Sequence, residues 1–221
     1  MVKLRLWAAA AFLSVLFCNY ATAAELPDNQ NNINPLLNKN LDIDAALQNA
    51  INAGGDIKKI NTLIQKGADV NKLSEEGLTP LAQAMILQYS IFAEMSAAAF
   101  KNKTEINEVH YLQKTEKTIL PVLELLLRSG ADINGLSTAG TPLHIAASGS
   151  SPVILYYLLD KGADPNIRDT EGNTPLFSAA NANKIQNIEI LLKFGAHPEM
   201  RNKDGRTYSD YLTHKIFRYK H

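Results

Sequence analysis

The apolar residues of this chain come in short bursts at helical spacing, separated by polar turns that return at a nearly fixed interval. Leu143, Ala146 and Ala147 make one burst and Leu158-Leu159 the next; Leu176, Ala179 and Ala180 repeat the first, and Ile188, Leu191 and Leu192 the second. Each pair predicts two short helices lying against each other. Thr-Pro-Leu triplets stand at Thr79, Thr141 and Thr174, and Gly-Ala-Asp recurs at Gly67, Gly130 and Gly162, with Gly195-Ala196-His197 as a fourth copy. From Gly130 to Gly162 is 32 residues, from Gly162 to Gly195 is 33, and from Thr141 to Thr174 is 33 again. A period of that length describes a stacked array whose units each supply a turn and two helices.

The recurring residues have local reasons. Thr141 caps a first helix and Pro142 suits its first position, where a missing N–H costs nothing. Ser151-Pro152 restarts the second helix in the same way, small alanines let stacked helices approach, and Gly162 ends the unit in a left-handed conformation. The run Thr141-Pro142-Leu143-His144-Ile145-Ala146-Ala147, with Gly162-Ala163-Asp164-Pro165-Asn166 recurring in register, is close to the ankyrin signature. Over roughly Leu41 to Leu212 the chain resembles the ankyrin-repeat family. The resemblance implies an all-α ankyrin-repeat solenoid of helix-turn-helix units with β-turn tips, and it makes His144 a structural tie between neighbouring turns. Its units are an N-terminal cap repeat at 41–75, repeats at 76–137, 138–170 and 171–203, and a C-terminal cap at 204–221. Asn183 stands where the family usually has glycine and is expected at positive φ; His197 replaces the Asp of Gly-Ala-Asp.

The second unit departs from the period. Thr79 to Gly130 spans 51 residues, whereas Thr141 to Gly162 and Thr174 to Gly195 each span 21. Leu81, Ala84, Met85, Ile91, Phe92, Met95 and Ala99 keep helical spacing with no Gly or Pro, so the first helix is expected to run to about Phe100. Lys101 to Thr104 forms a turn with Thr104 as cap, and Ile106, Val109, Tyr111 and Leu112 start a return helix. A kink or break is expected between Thr115 and Pro121. The result is a long helical-hairpin insertion whose arms are each about 15 residues, or roughly 22 Å, longer than their neighbours. The turn at Gly135–Gly140 is one residue shorter than its counterparts.

The ends and the composition narrow the function. Lys3 and Arg5, the apolar run Leu6 to Phe17 and Ala21-Thr22-Ala23 read as a signal peptide over 1–23, followed by a flexible Asn-rich leader at 24–40. Cleavage removes Cys18, the single cysteine, and with it disulfide or thiol chemistry. The 22 basic and 22 acidic residues balance, and losing Lys3 and Arg5 leaves a net charge of about −2, so nothing favours nucleic acid. The five histidines include no HExxH-type pattern. His110 and Glu108, two apart, do not share a helix face. Asp69, Asp132 and Asp164 are turn caps a layer apart rather than a catalytic pair. Lys215, Arg218 and Lys220 suit a solvated helix end.

The expectation is therefore a monomeric, non-enzymatic protein without cofactor or metal, exported to the periplasm of a Gram-negative bacterium, where it binds a protein. Binding is assigned to the turn tips, through Leu73, Glu75, Leu136, Ile167, Arg168, Met200 and Arg201. The inserted hairpin adds Phe92, Met95 and Tyr111. The alternatives are a secreted effector acting on host proteins and a periplasmic immunity protein that inhibits a toxin.

Overall fold

Each Thr-Pro-Leu opens a helix in the computed structural model of the chain, which describes residues 35–102, 104, 107–149 and 151–217. The helices are α1 (Pro35–Asn52), α2 (Ile57–Gln65), α3 (Pro80–Asn102), α4 (Glu108–Arg128), α5 (Pro142–Ser148), α6 (Pro152–Asp160), α7 (Pro175–Asn181), α8 (Ile185–Lys193) and α9 (Tyr208–Phe217). The first helix of each unit packs on the first helix of the next (α3 on α5, α5 on α7, α7 on α9), and α4, α6 and α8 form the second layer. The chain divides into two compact units, Met1–Asn38 and Lys39–His221; the array is the second. The signal-peptide residues, Cys18, Ile106, Arg218 and Lys220 lie outside the described residues, as does the side chain of Lys215. α1 begins at Pro35, so residues 35–40 are helical where the sequence predicts a flexible leader.

Packing, not propensity, makes these helices. α5 has seven residues, too few to persist alone in water, yet Pro142 through Ala147 are all buried. α7 buries Pro175, Leu176, Phe177, Ala179 and Ala180. A fully buried leucine contributes about 2 kcal/mol, and one continuous apolar cluster runs from Leu47 to Ala196. Asn183 has φ +56° in the turn between α7 and α8, the left-handed conformation expected there.

A ladder of side chains ties successive turns. Asp44 Oδ1 accepts from the Asp69 N–H (2.7 Å), Asn71 Oδ1 from Asp132 (2.8 Å), Asn134 Oδ1 from Asp164 (2.9 Å) and Asn166 Oδ1 from His197 (2.8 Å). The Asn71 and Asn166 amides also donate to the carbonyls of Gly130 and Gly195. The aspartates close their own turns, Asp69, Asp132 and Asp164 each accepting from the N–H two residues on. His197 takes its rung through its backbone N–H, so exchanging Asp for His at that position leaves the rung intact.

His144 links two repeats. Its Nε2 lies 3.0 Å from the Asn173 carbonyl oxygen, and its Nδ1 lies 3.2 Å from the Thr141 N–H and 2.8 Å from the Thr141 hydroxyl. A carbonyl only accepts, so Nε2 carries the proton and Nδ1 is the acceptor. Phe177 occupies the same position in the next repeat. Thr174 Oγ1 there is buried without a partner among the described residues, and the phenyl ring instead meets Tyr211 edge-on at 5.6 Å. Burial pushes the His144 imidazole below its usual 6.5, against the opposing pull of the Asn173 carbonyl and Asp169. A base with a lowered folded pKa stabilises fully above its unfolded value and loses that contribution as pH falls below about 6.5 toward the folded value. The thermal midpoint is expected to drop between pH 7 and pH 5, at up to about 1.4 kcal/mol per unit of pKa difference. In His144→Phe, unfolded by the same thermal scans, that slope should flatten; an unchanged slope would assign the acid sensitivity to other groups.

The insertion forms the expected pair of long helices, with three local corrections. α3 has 23 residues and α4 has 21, against seven and nine in α5 and α6. The return helix is capped by Asn107, whose Oδ1 accepts from the His110 N–H at 3.0 Å, rather than by Thr104, whose N–H closes the end of α3 on the Ala99 carbonyl. No break precedes Pro121, which lies inside a continuous α4. Tyr111, expected on the binding surface, is buried inside the hairpin: its hydroxyl donates to the Gln88 carbonyl at 3.3 Å and its ring meets Phe92 edge-on at 5.6 Å. Two facing helices bury the larger aromatic on their shared seam, which helical spacing alone does not distinguish from the outer face.

Candidate protein-binding surface

The hairpin is braced on the third unit at its root and free beyond it. The Tyr89 hydroxyl lies 3.1 Å from Ser148 Oγ at the end of α5, and Ser151 Oγ, at the start of α6, donates to Glu116 at 2.8 Å. Buried Gln88 packs directly over Gly149, where any side chain would collide with it. Residues 90–102 and 108–115 extend past these braces, about 20 Å and 12 Å of helix. A Lys114–Glu94 pair at 3.0 Å crosses the free part; both side chains are largely exposed, so the pair adds little. Phe92 and Met95 are half-buried, whereas Phe100 and Val109 near the end of the hairpin are exposed.

The turn tips form the second candidate surface. Tips one, three and four are closed by the same pair of backbone bonds: Ser74 N–H to Leu78 and Gly77 to Ser74, Asp169 to Asn173 and Gly172 to Asp169, Asn202 to Arg206 and Gly205 to Asn202. The second is one residue tighter, with Ser137 and Gly140 exchanging bonds at 3.0 Å in each direction, as its shorter sequence requires. Adjacent tips are joined through the Thr138 N–H on the Gly77 carbonyl and the Lys203 N–H on that of Glu171. The first tip is thus tied to the second, and the third to the fourth, through the backbone.

Of the residues assigned to it, Leu73 is 49% exposed and Leu136 47%, high values for leucines on a rigid turn. Glu75, Arg168 and Arg201 are exposed, while Ile167 and Met200 are half-buried beneath them. Leu73, Leu136, Arg168 and Arg201 occupy the same place in the four turns. Phe92 and Met95 lie at the other end of the second unit's helices and do not join this row. Sequence reasoning missed Asn187, a buried amide on α8 that donates to the carbonyls of Ala147 and Gly149, and it missed the asparagine ladder, whose signal was the fixed Asn four residues after Gly67, Gly130 and Gly162. Among the described residues no helix is long and apolar enough to cross a membrane.

Comparison with known proteins agrees with the geometry. A family model described as ankyrin repeats (3 copies) matches residues 95–204. Protein phosphatase 1 regulatory subunit 27 of Homo sapiens is 44% identical over 55 residues, which is 24% of this chain and 36% of that protein. The chain therefore matches only about a third of that relative's length.

Proposed function

This chain belongs to the ankyrin-repeat family, an array of protein-protein interaction modules, and from that premise we propose that it is a non-enzymatic protein that binds its partner along the row of turn tips. The observation that carries the proposal is the pair of leucines, Leu73 and Leu136, held half-exposed at the same place on successive rigid tips. Exposed apolar side chains on a preorganised turn give a partner area to bury at a reduced ordering cost. The similarity to a protein named as a phosphatase regulatory subunit supports a role in which the array docks on another protein and modulates it. Lys3, Arg5, the apolar run and Ala21-Thr22-Ala23 support export, and we place the protein in the periplasm.

The test is capture from a periplasmic extract with the purified protein as bait. Leu73→Asp with Leu136→Asp is expected to reduce recovery of a stoichiometric partner at least tenfold. It should leave the thermal midpoint within a degree or two, because exposed substitutions cost less than about 0.5 kcal/mol. Undiminished capture by the double variant would remove the tips from the interface. Fractionation tests the location separately: recovery in the culture medium would replace the periplasmic assignment.

A further inference from the structure

Along the row of tips one register position holds Leu73, Leu136, Arg168 and Arg201 in turn. Apolar contact gives way to guanidinium halfway along. These arginines are held in place. Arg168 Nη1 donates to the Arg201 carbonyl at 3.0 Å, and Arg201 Nη1 donates to the Gly205 carbonyl at 2.6 Å. Each guanidinium is therefore fixed at one corner by the backbone of the last tip. Among the described residues neither makes an ion pair with a carboxylate.

The nearby acids are partly committed elsewhere. Asp169 closes its own turn, Oδ1 accepting from the N–H groups of Glu171 and Asn173 and Oδ2 from the Asn173 amide. Asp210 accepts from the N–H and hydroxyl of Thr207, bonds that hold its carboxyl below the usual range with a smaller contribution from the charges of Arg201 and Arg206. Glu171 and Asp204 are the remaining anions of the two tips, set against Arg168, Arg201, Lys203 and Arg206.

Resting on the proposed binding row, we infer that Arg168 and Arg201 form a two-guanidinium clamp for a pair of carboxylates on an acidic segment of the partner protein. A guanidinium offers five N–H donors in a planar fork; one corner holds the backbone here, and both arginines are exposed, which leaves donors that a carboxylate can accept in pairs. Fixing the fork in advance removes part of the cost of ordering it on binding. Both guanidiniums are anchored on carbonyls of one tight turn, those of Arg201 and Gly205, so the two carboxylates should stand on one face of the partner segment. An extended segment turns alternate side chains to opposite faces, so the two carboxylates stand two residues apart, roughly 6.6 Å at about 3.3 Å per residue. The same segment, continued along the row, meets Leu136 and then Leu73, and needs apolar residues there.

The probe is a fluorescein-labelled extended peptide with two leucines followed by two glutamates two residues apart, compared with its Gln-for-Glu twin by anisotropy on the full chain. The Glu peptide is expected to bind at least tenfold more tightly than the twin at low salt, with the difference shrinking as salt is added. Arg168→Gln with Arg201→Gln should abolish the difference. Arg168→Lys with Arg201→Lys keeps the charge but loses the fork, and should weaken binding at least threefold. Equal binding of the two peptides, or a lysine variant as tight as the native protein, overturns the clamp. A phosphoserine twin that binds more tightly than the Glu peptide overturns the assignment to carboxylates. Capture of the cellular partner that is lost on Leu73→Asp with Leu136→Asp, yet indifferent to the arginine pair, overturns the clamp and leaves the binding row standing.

Discussion

Asn187→Ala is expected to lower the thermal midpoint by roughly 4–16 °C, the largest loss anticipated from a single polar substitution in this array. The last carbonyls of a helix have no partner within it. At the end of α5, Ile145 and Ala146 receive the Gly149 N–H, while Ala147 and Gly149 receive the Asn187 amide at 2.9 and 3.2 Å. Asn187 belongs to α8 and is 2% exposed, so these bonds join the third repeat to the fourth in a dry setting. Alanine leaves two carbonyls short of a donor, at about 1–3 kcal/mol each. A total of roughly 2–4 kcal/mol, at about 2–4 °C per kcal/mol for a chain of this size, gives the predicted drop. Asn187→Asp keeps the shape but presents acceptors to acceptors, and should do at least as much damage. Calorimetry on both variants checks the argument; a fall under 2 °C would mean that water replaces the amide. The functional consequence follows from nearest-neighbour coupling in a repeat array. Loosening the third repeat from the fourth separates the tips that carry Arg168 and Arg201, so partner binding should weaken before the protein unfolds.

The array was legible in the sequence because its information is local and repeated. Thr-Pro-Leu reports a helix start, Gly-Ala-Asp reports a left-handed stop and a turn, and a fixed spacing says that the two recur in register. Asn183 at positive φ and His144 as a tie between turns were implied by the resemblance to the ankyrin-repeat family. What was not legible depends on contacts between units. Asn187 looks like any polar residue on an amphipathic helix until the end of α5 is placed beside it. Tyr111 looks like surface, because the apolar spacing of α4 marks a face without saying which neighbour covers it. The tips lie between these cases: their positions follow from the repeat, but the fixing of Arg168 by the Arg201 carbonyl depends on the stacking of one turn on the next, while Arg201 is held within its own turn.

Pro121 is where a local rule was overruled, and replacing it should stabilise the protein. Proline inside a helix removes one backbone bond, here the donor to the Lys117 carbonyl, and crowds that carbonyl, at a cost of about 3 kcal/mol. The cost is normally enough to end a helix, which is why the sequence predicts a break. α4 continues because Ile119, Val122, Leu123 and Leu126 are all 0% exposed. Four buried side chains at about 2 kcal/mol each, on both sides of the proline, exceed the penalty, and Pro121 itself is exposed, so water can reach the carbonyl it abandons. Pro121→Ala restores the donor while leaving those contacts in place. Alanine also frees the unfolded chain, which returns about 1 kcal/mol, so the net gain should be about 2 kcal/mol, or roughly 4–8 °C in thermal midpoint. Amide exchange along α4 should slow at the same time, most clearly around the restored bond. A midpoint that stays put or falls would mean that a bend at Pro121 is part of how the hairpin sits on the third repeat. In that case the braces Tyr89–Ser148 and Ser151–Glu116 should loosen in the variant, visible as faster exchange at the start of α6. If the midpoint rises and those braces hold, α4 is a straight strut whose continuity is set by its buried face.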